Sequence, residues 1–123
     1  MSIKERFPDN NIIWKYSNPV KVQELAYSVY GPDAIIYRSR HKNKKYAIVD
    51  PNTNKVVNFG QIGFEDVTKH RDIKRMYNYL RRASRIKGNW RDNKYSPNNL
   101  SINLLWSWGS LDELKELLRI AGL

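Results

Sequence analysis

Three short runs rich in β-branched and aromatic residues, Ala34–Ser39, Tyr46–Val49 and Val56–Phe59, constrain most what this chain can fold into. Turn-forming residues separate them: His41–Lys44 between the first two, and Pro51-Asn52-Thr53-Asn54 between the last two. Strands joined this tightly predict an antiparallel meander of three. A sheet that small is not stable alone in water, so helices must cover one of its faces.

Helix signals flank the strands. Asn18 can cap and Pro19 suits a first helical position, because its missing N–H is not needed there. Val22, Leu25, Ala26 and Val29 then recur at helical spacing until Gly31-Pro32 stops them. After a loop marked by Gly60 and Gly63, Thr68 or Asp66 can cap one continuous helix over residues 70–86. Its apolar stripe is Ile73, Met76, Tyr77, Leu80 and Ala83, with Tyr77 and Leu80 expected to be buried. Ser96-Pro97 opens a short helix to about Trp106. Ser110 and Glu113 form a capping box for a last helix, Leu111 to Ala121. Residues 1–17 read as an N-terminal arm whose Ile12, Ile13, Trp14 and Tyr16 form a short extended piece. The expected fold is one α+β domain over residues 1–123. It is a small three-stranded antiparallel sheet covered by three to four helices, with a core at 34–106 and a C-terminal helix at 110–123.

Composition narrows the function. There is no cysteine, which removes disulfides, thiolate zinc sites and cysteine nucleophiles. No apolar run approaches the roughly 20 residues of a membrane span, and the first residues lack a secretory signal, so a non-secreted protein is expected. The net charge is +10 and unevenly placed: +3 over residues 1–68, +8 over 69–94 and −1 over 95–123. A field concentrated in one segment attracts a polyanion, whether nucleic acid, an acidic protein face or anionic lipid.

The 70–86 helix carries that segment. Opposite its apolar stripe lie Lys74, Asn78, Arg81 and Arg85, and Arg71, Arg75 and Arg82 widen the face. Guanidinium forks match phosphate oxygens in two-point contacts. Lys87, Arg91 and Lys94 extend the charge into the next loop beside Trp90 and Tyr95; aromatics interleaved with cations suit the stacking of single-strand bases, but the simpler role of these two is packing over the helix end. A secondary basic patch, Arg38, Arg40, Lys42, Lys44 and Lys45, surrounds the first hairpin turn. Lysines on exposed strands also discourage edge-to-edge aggregation.

The segment Glu65-Asp66-Val67-Thr68-Lys69-His70-Arg71-Asp72 gathers three carboxylates and a histidine, groups a metal-dependent nuclease uses. His70 and Asp72 are two residues apart, however, and do not share a helix face. Asp66, Thr68 and Asp72 are equally explained as capping residues. No catalytic residue, metal set or cofactor is assigned.

Lys45-Tyr46-x-x-Val49, Pro51, Lys55, Phe59-Gly60-x-x-Gly63-Phe64-x-Asp66-x-Thr68-x-His70-x-Asp72-x-x-Arg75-x-x-x-Tyr79 resembles a family of short uncharacterised proteins. Its members come from giant and other large nucleocytoplasmic DNA viruses and some marine phages. Tyr95-Ser96-Pro97-Asn98-Asn99-Leu100-Ser101-x-x-Leu104-Leu105-Trp106 resembles that family's closing segment. The resemblance implies a viral origin, in the virion or in the host cytoplasm or viral factory, and supplies no reaction. Many members carry Arg-His where this chain has Arg82-Ala83, which argues against a His-dependent site. Three roles follow in order: a non-enzymatic minor capsid or cement-type protein bound to other virion proteins; a sequence-nonspecific binder of viral DNA or RNA through the Arg-rich helix; and a nuclease around His70. The structural role ranks first because the resemblance is viral and no base-reading motif occurs.

Overall fold

A computed structural model describes residues 1–107 and Arg119, so the expected helix at 111–121, Arg119 apart, and its capping box lie outside the described residues. The α+β reading holds. Strands β1 (Tyr37–Arg38), β2 (Lys44–Asp50) and β3 (Lys55–Gln61) form an antiparallel sheet in the order β1-β2-β3. Pairing of Tyr46 with Phe59 and of Ile48 with Val57 sets the register, so four large side chains share the core face. Helices α3 (Pro19–Tyr30) and α6 (Pro97–Leu104) close that face with Val22, Leu25, Leu100 and Leu104. Both start as their sequences dictate. Asn18 accepts from the amides of Val20 and Lys21, Ser96 accepts from that of Asn99, and a proline follows each cap. Among the described residues no helix is long and apolar enough to cross a membrane.

The first strand is shorter than its composition suggests. Residues 34–36 lie outside the strand: the Ala34 and Ile35 amides make local turn bonds to the Gly31 and Asp33 carbonyls, and the remaining bonds go to side chains instead of β2. Gln23 donates from Nε2 to the Ala34 carbonyl at 2.8 Å, and its Oε1 accepts from the Ile36 amide at 2.9 Å. The Arg6 guanidinium donates to the same Gln23 Oε1 at 2.8 Å and to the Ile36 carbonyl. A buried amide thus replaces ladder partners for this stretch.

The piece of the N-terminal arm expected to be extended, Ile12, Ile13, Trp14 and Tyr16, is helical instead. The arm folds into two single turns, α1 (Ile3–Arg6) and α2 (Ile13–Tyr16). The first carries a Ser2–Glu5 capping box. Phe7 and Ile13 are fully buried in the core, so these residues belong to the domain rather than append to it.

The expected helix over 70–86 is two. Helix α4 (Val67–His70) ends at Arg71, whose φ of 56° is left-handed, and α5 (Ile73–Ala83) begins anew. The polar run supplies both starts. Asp66 accepts from the Thr68 amide, and Asp72 accepts from the Arg75 amide. The side chains buried from α5 are Met76 and Ala83, while Tyr77 and Leu80 are only half-buried. The helix lies along the rim of the domain, so a narrower stripe than the sequence offers reaches the interior.

One buried network joins these pieces. Lys45 Nζ sits 2.9 Å from Asp66 Oδ2, and both side chains are almost wholly buried. Asp66 Oδ1 accepts from the Thr68 hydroxyl. With that proton committed, Ser17 Oγ, 3.1 Å away, donates to Thr68 Oγ1, which also accepts from the Asn18 amide. The Tyr46 hydroxyl donates to Ser17 Oγ at 2.7 Å. Three hydroxyl protons therefore point one way, toward the carboxylate. Burial, and then the Asp66 charge, hold the Tyr46 hydroxyl protonated well above the ordinary tyrosine range. Gly60 makes room for the pair. A Cβ there would lie 2.7 Å from Leu105 Cδ1 and 3.1 Å from Lys45 Cβ, and its φ of 79° is left-handed.

Removing the ammonium alone leaves a buried carboxylate without its counter-charge. Lys45→Met is therefore expected to cost about 3–5 kcal/mol in urea unfolding. Lys45→Met with Asp66→Asn should cost less than the two single changes added together, because the asparagine oxygen can still cap α4.

Candidate polyanion-binding cleft

The ends of β2 and β3, helix α5 and helix α6 enclose a cleft of about 560 Å³. That lies within the roughly 300–1,000 Å³ of small-ligand sites. The sheet contributes Lys44 to it, and α5 contributes Arg75, Asn78 and Arg82. Those three positions, spaced three and four apart, fall on one helical face. Helix α6 and the residues after it add Asn98 and Trp106, and the loop before α4 adds Phe64 and Glu65. Tyr79 and Trp106 stack at 4.1 Å with planes 8° apart and form an aromatic wall. No carboxylate lies within ion-pairing distance of the Lys44, Arg75 or Arg82 charges among the described residues, although Glu65 lines the same cleft.

The basic residues foreseen from the sequence divide into three groups. Arg75, Asn78 and Arg82 meet Lys44 in the cleft. Lys74, Arg81 and Arg85 are exposed beside it, with Arg81 over the Tyr77 ring at 5.8 Å. The stripe facing the cleft is thus one residue along from the stripe centred on Lys74 and Arg81. Arg71 is exposed at the left-handed junction, and Lys87 is exposed beyond α5.

The others also make contacts within the fold, and of them only Lys45 is withdrawn from the surface. Lys45 is buried in its ion pair. Burial pulls its ammonium below the ordinary lysine range, and Asp66 opposes that shift. Arg38 clamps the hairpin, donating to the carbonyls of Ser39, Lys44 and Lys45 and to Asn11 Oδ1. Arg91 lies 4.2 Å over the Trp90 ring and donates to the Ser84 carbonyl. Lys94 donates to the Val29 carbonyl at 2.7 Å and lies over the Tyr30 ring. Trp90 donates to the Ile86 carbonyl and Tyr95 packs on Tyr30, so both aromatics pack at helix ends. Of the hairpin patch, Arg40 and Lys42 stay exposed.

Sequence reasoning missed Phe64, Tyr79 and Trp106 as parts of a site. The signal was present for Phe64, an aromatic residue between a turn glycine and a capping aspartate. The Tyr79–Trp106 stack joins positions far apart in the chain, which periodicity cannot reveal.

The acidic run does not converge. Asp66 pairs with Lys45, and Asp72 caps α5. Among the described residues no three histidine or carboxylate side chains are placed to hold a metal. His70 is held by local bonds: its Nδ1 accepts from the Asp72 amide at 2.9 Å, and its ring packs on Trp106. Its Nε2 is shielded from water and has no hydrogen-bond partner among the described residues.

Residues 34–83 match the model of a family of unknown function (DUF5754). The matched segment is less than half of the chain, yet it holds the sheet, the Lys45–Asp66 pair and the cleft residues Lys44, Phe64, Arg75, Asn78 and Arg82. No curated protein and no solved structure matches the chain.

Burial first, and the Arg75 charge second, push the His70 ring below the ordinary histidine range. The unfolded chain then binds more protons than the folded one between that lowered pKa and about 6.5. Stability from the neutral ring is present above that window and lost as the pH falls through it. An NMR titration of the His70 ring should give a midpoint below about 6.5, and Arg75→Gln should move it upward.

Proposed function

We propose that the chain is a non-enzymatic, sequence-nonspecific nucleic-acid-binding protein that takes phosphates in the cationic cleft. The observation that carries this reading is the meeting of Lys44 with Arg75 and Arg82 in one concavity, none of the three ion-paired to a carboxylate among the described residues. A guanidinium without an internal counter-charge is available to an outside anion, and its fork fits a phosphate in two-point contact. Lys74, Arg81 and Arg85 widen the field around the cleft and draw a polyanion toward it. The reading ranks above a minor capsid or cement role because of shape. A concave, aromatic-walled cleft accommodates a phosphodiester chain better than it does an acidic patch on a flat protein face. The proposed partner is viral nucleic acid, in the virion or the viral factory, on the strength of the sequence resemblance.

Each neutralised phosphate releases condensed counterions, so affinity measured at several salt concentrations tests the reading. Replacing Lys44, Arg75 and Arg82 together with Gln should weaken binding and make the slope of log affinity against log salt shallower by roughly two to three. Replacing Lys74, Arg81 and Arg85 with Gln should lower affinity less. Both losses should be alike across sequences, because phosphate contacts carry no base information. Absence of binding by the unmodified protein at low salt contradicts the reading and points to an acidic protein face instead.

A further inference from the structure

Among the apolar groups lining the cleft, Phe64 stands apart by its exposure. Phe64 is 66% exposed at the cleft, an unusual place for a phenylalanine. Its position is set by anchors on both sides. Two residues earlier, the Ile62 amide donates to the Asn43 carbonyl at 3.0 Å. Two residues later, Asp66 is buried in its ion pair, and its amide donates to the Tyr16 carbonyl at 3.1 Å. Between them Gly63, with φ of 101°, turns the chain as a residue with a side chain rarely can. A short segment pinned at both ends therefore holds an exposed ring beside Lys44, Arg75 and Arg82.

Building on the phosphate-binding reading, we infer that the cleft is a single-strand site in which an unpaired base stacks on Phe64. The neighbouring cations take the phosphates of the same strand, and Asn78 and Asn98 offer amide donors and acceptors at its side. Bases present a π-face whatever their identity, so an exposed ring with flanking cations favours single strands without choosing a sequence. A base paired within a duplex has both faces covered by its neighbours and cannot lie against the ring. The backbone on either side of the ring is already anchored, so little main-chain freedom is lost when a base settles on it.

The test compares the full chain and three variants, Phe64→Ala, Phe64→Trp and the Lys44, Arg75 and Arg82 triple to Gln. Each is titrated with an oligothymidylate of about ten nucleotides and with a hairpin duplex of similar charge, after a thermal melt has established that it is folded. Phe64→Ala should weaken single-strand binding roughly tenfold, leaving duplex affinity and the single-strand salt slope unchanged. Phe64→Trp should retain or strengthen single-strand binding, while the charge variant should weaken both ligands. If the unmodified protein binds both ligands and Phe64→Ala weakens neither or both alike, stacking is refuted and the phosphate reading stands. If the unmodified protein binds neither at low salt, both fall.

Discussion

A buried lysine–aspartate contact organises this molecule. Lys45 and Asp66 come from a strand and from a helix cap, and their 2.9 Å pairing fixes the sheet against the start of α4. Taking two charges out of water costs several kcal/mol each, so such a pair is a poor source of net stability. Its value here is position. Asp66 must lie where the ammonium and the Thr68 hydroxyl reach it, and Thr68 must lie where Ser17 and the Asn18 amide reach it. The N-cap of α3, the end of α2 and the sheet are thereby brought to one point. The tight approach at Gly60 belongs to the same constraint, since a Cβ there would clash with Leu105 and crowd the Lys45 stem.

The cleft inherits its geometry from this point. Lys44 adjoins the buried lysine, and Phe64 lies two residues before the buried aspartate. The left-handed turn at Arg71 then redirects the chain, so that α5 presents Arg75, Asn78 and Arg82 to the cleft. Adjacent residues on one strand thus have opposite uses: Lys45 is paired inside, while Lys44 is offered outside. Net charge alone conceals that division. Arg38, Lys45, Arg91 and Lys94 also contribute to the structure through carbonyls, rings and a carboxylate. Of these, Lys45 is buried and ion-paired, so its charge is not offered to a partner.

The meander and the starts of α3 and α6 were legible because turn residues and caps act within a few positions of where they stand. The Ser2–Glu5 capping box was equally local, but a four-residue turn offers no helical period to accompany it. The break at Arg71 was harder to see. Nothing in an arginine announces a left-handed conformation, and two capping aspartates in one polar run also suit a single helix. The shortened first strand depends on Gln23 reaching residues 34 and 36 from another helix, a tertiary bond that local preference does not encode. For the site, the helical period correctly put cations on the outer face of α5. Which stripe meets a cleft depends on where Lys44 and Trp106 arrive in space.

The most direct test of the central claim is an NMR titration with a short oligothymidylate at low salt, following backbone amides and the arginine and lysine side chains. Binding in the cleft predicts that shifts cluster on Lys44, Phe64, Arg75, Asn78 and Arg82, with smaller changes at Lys74, Arg81 and Arg85. Shifts centred on Arg40 and Lys42, or no shifts at all, would contradict it.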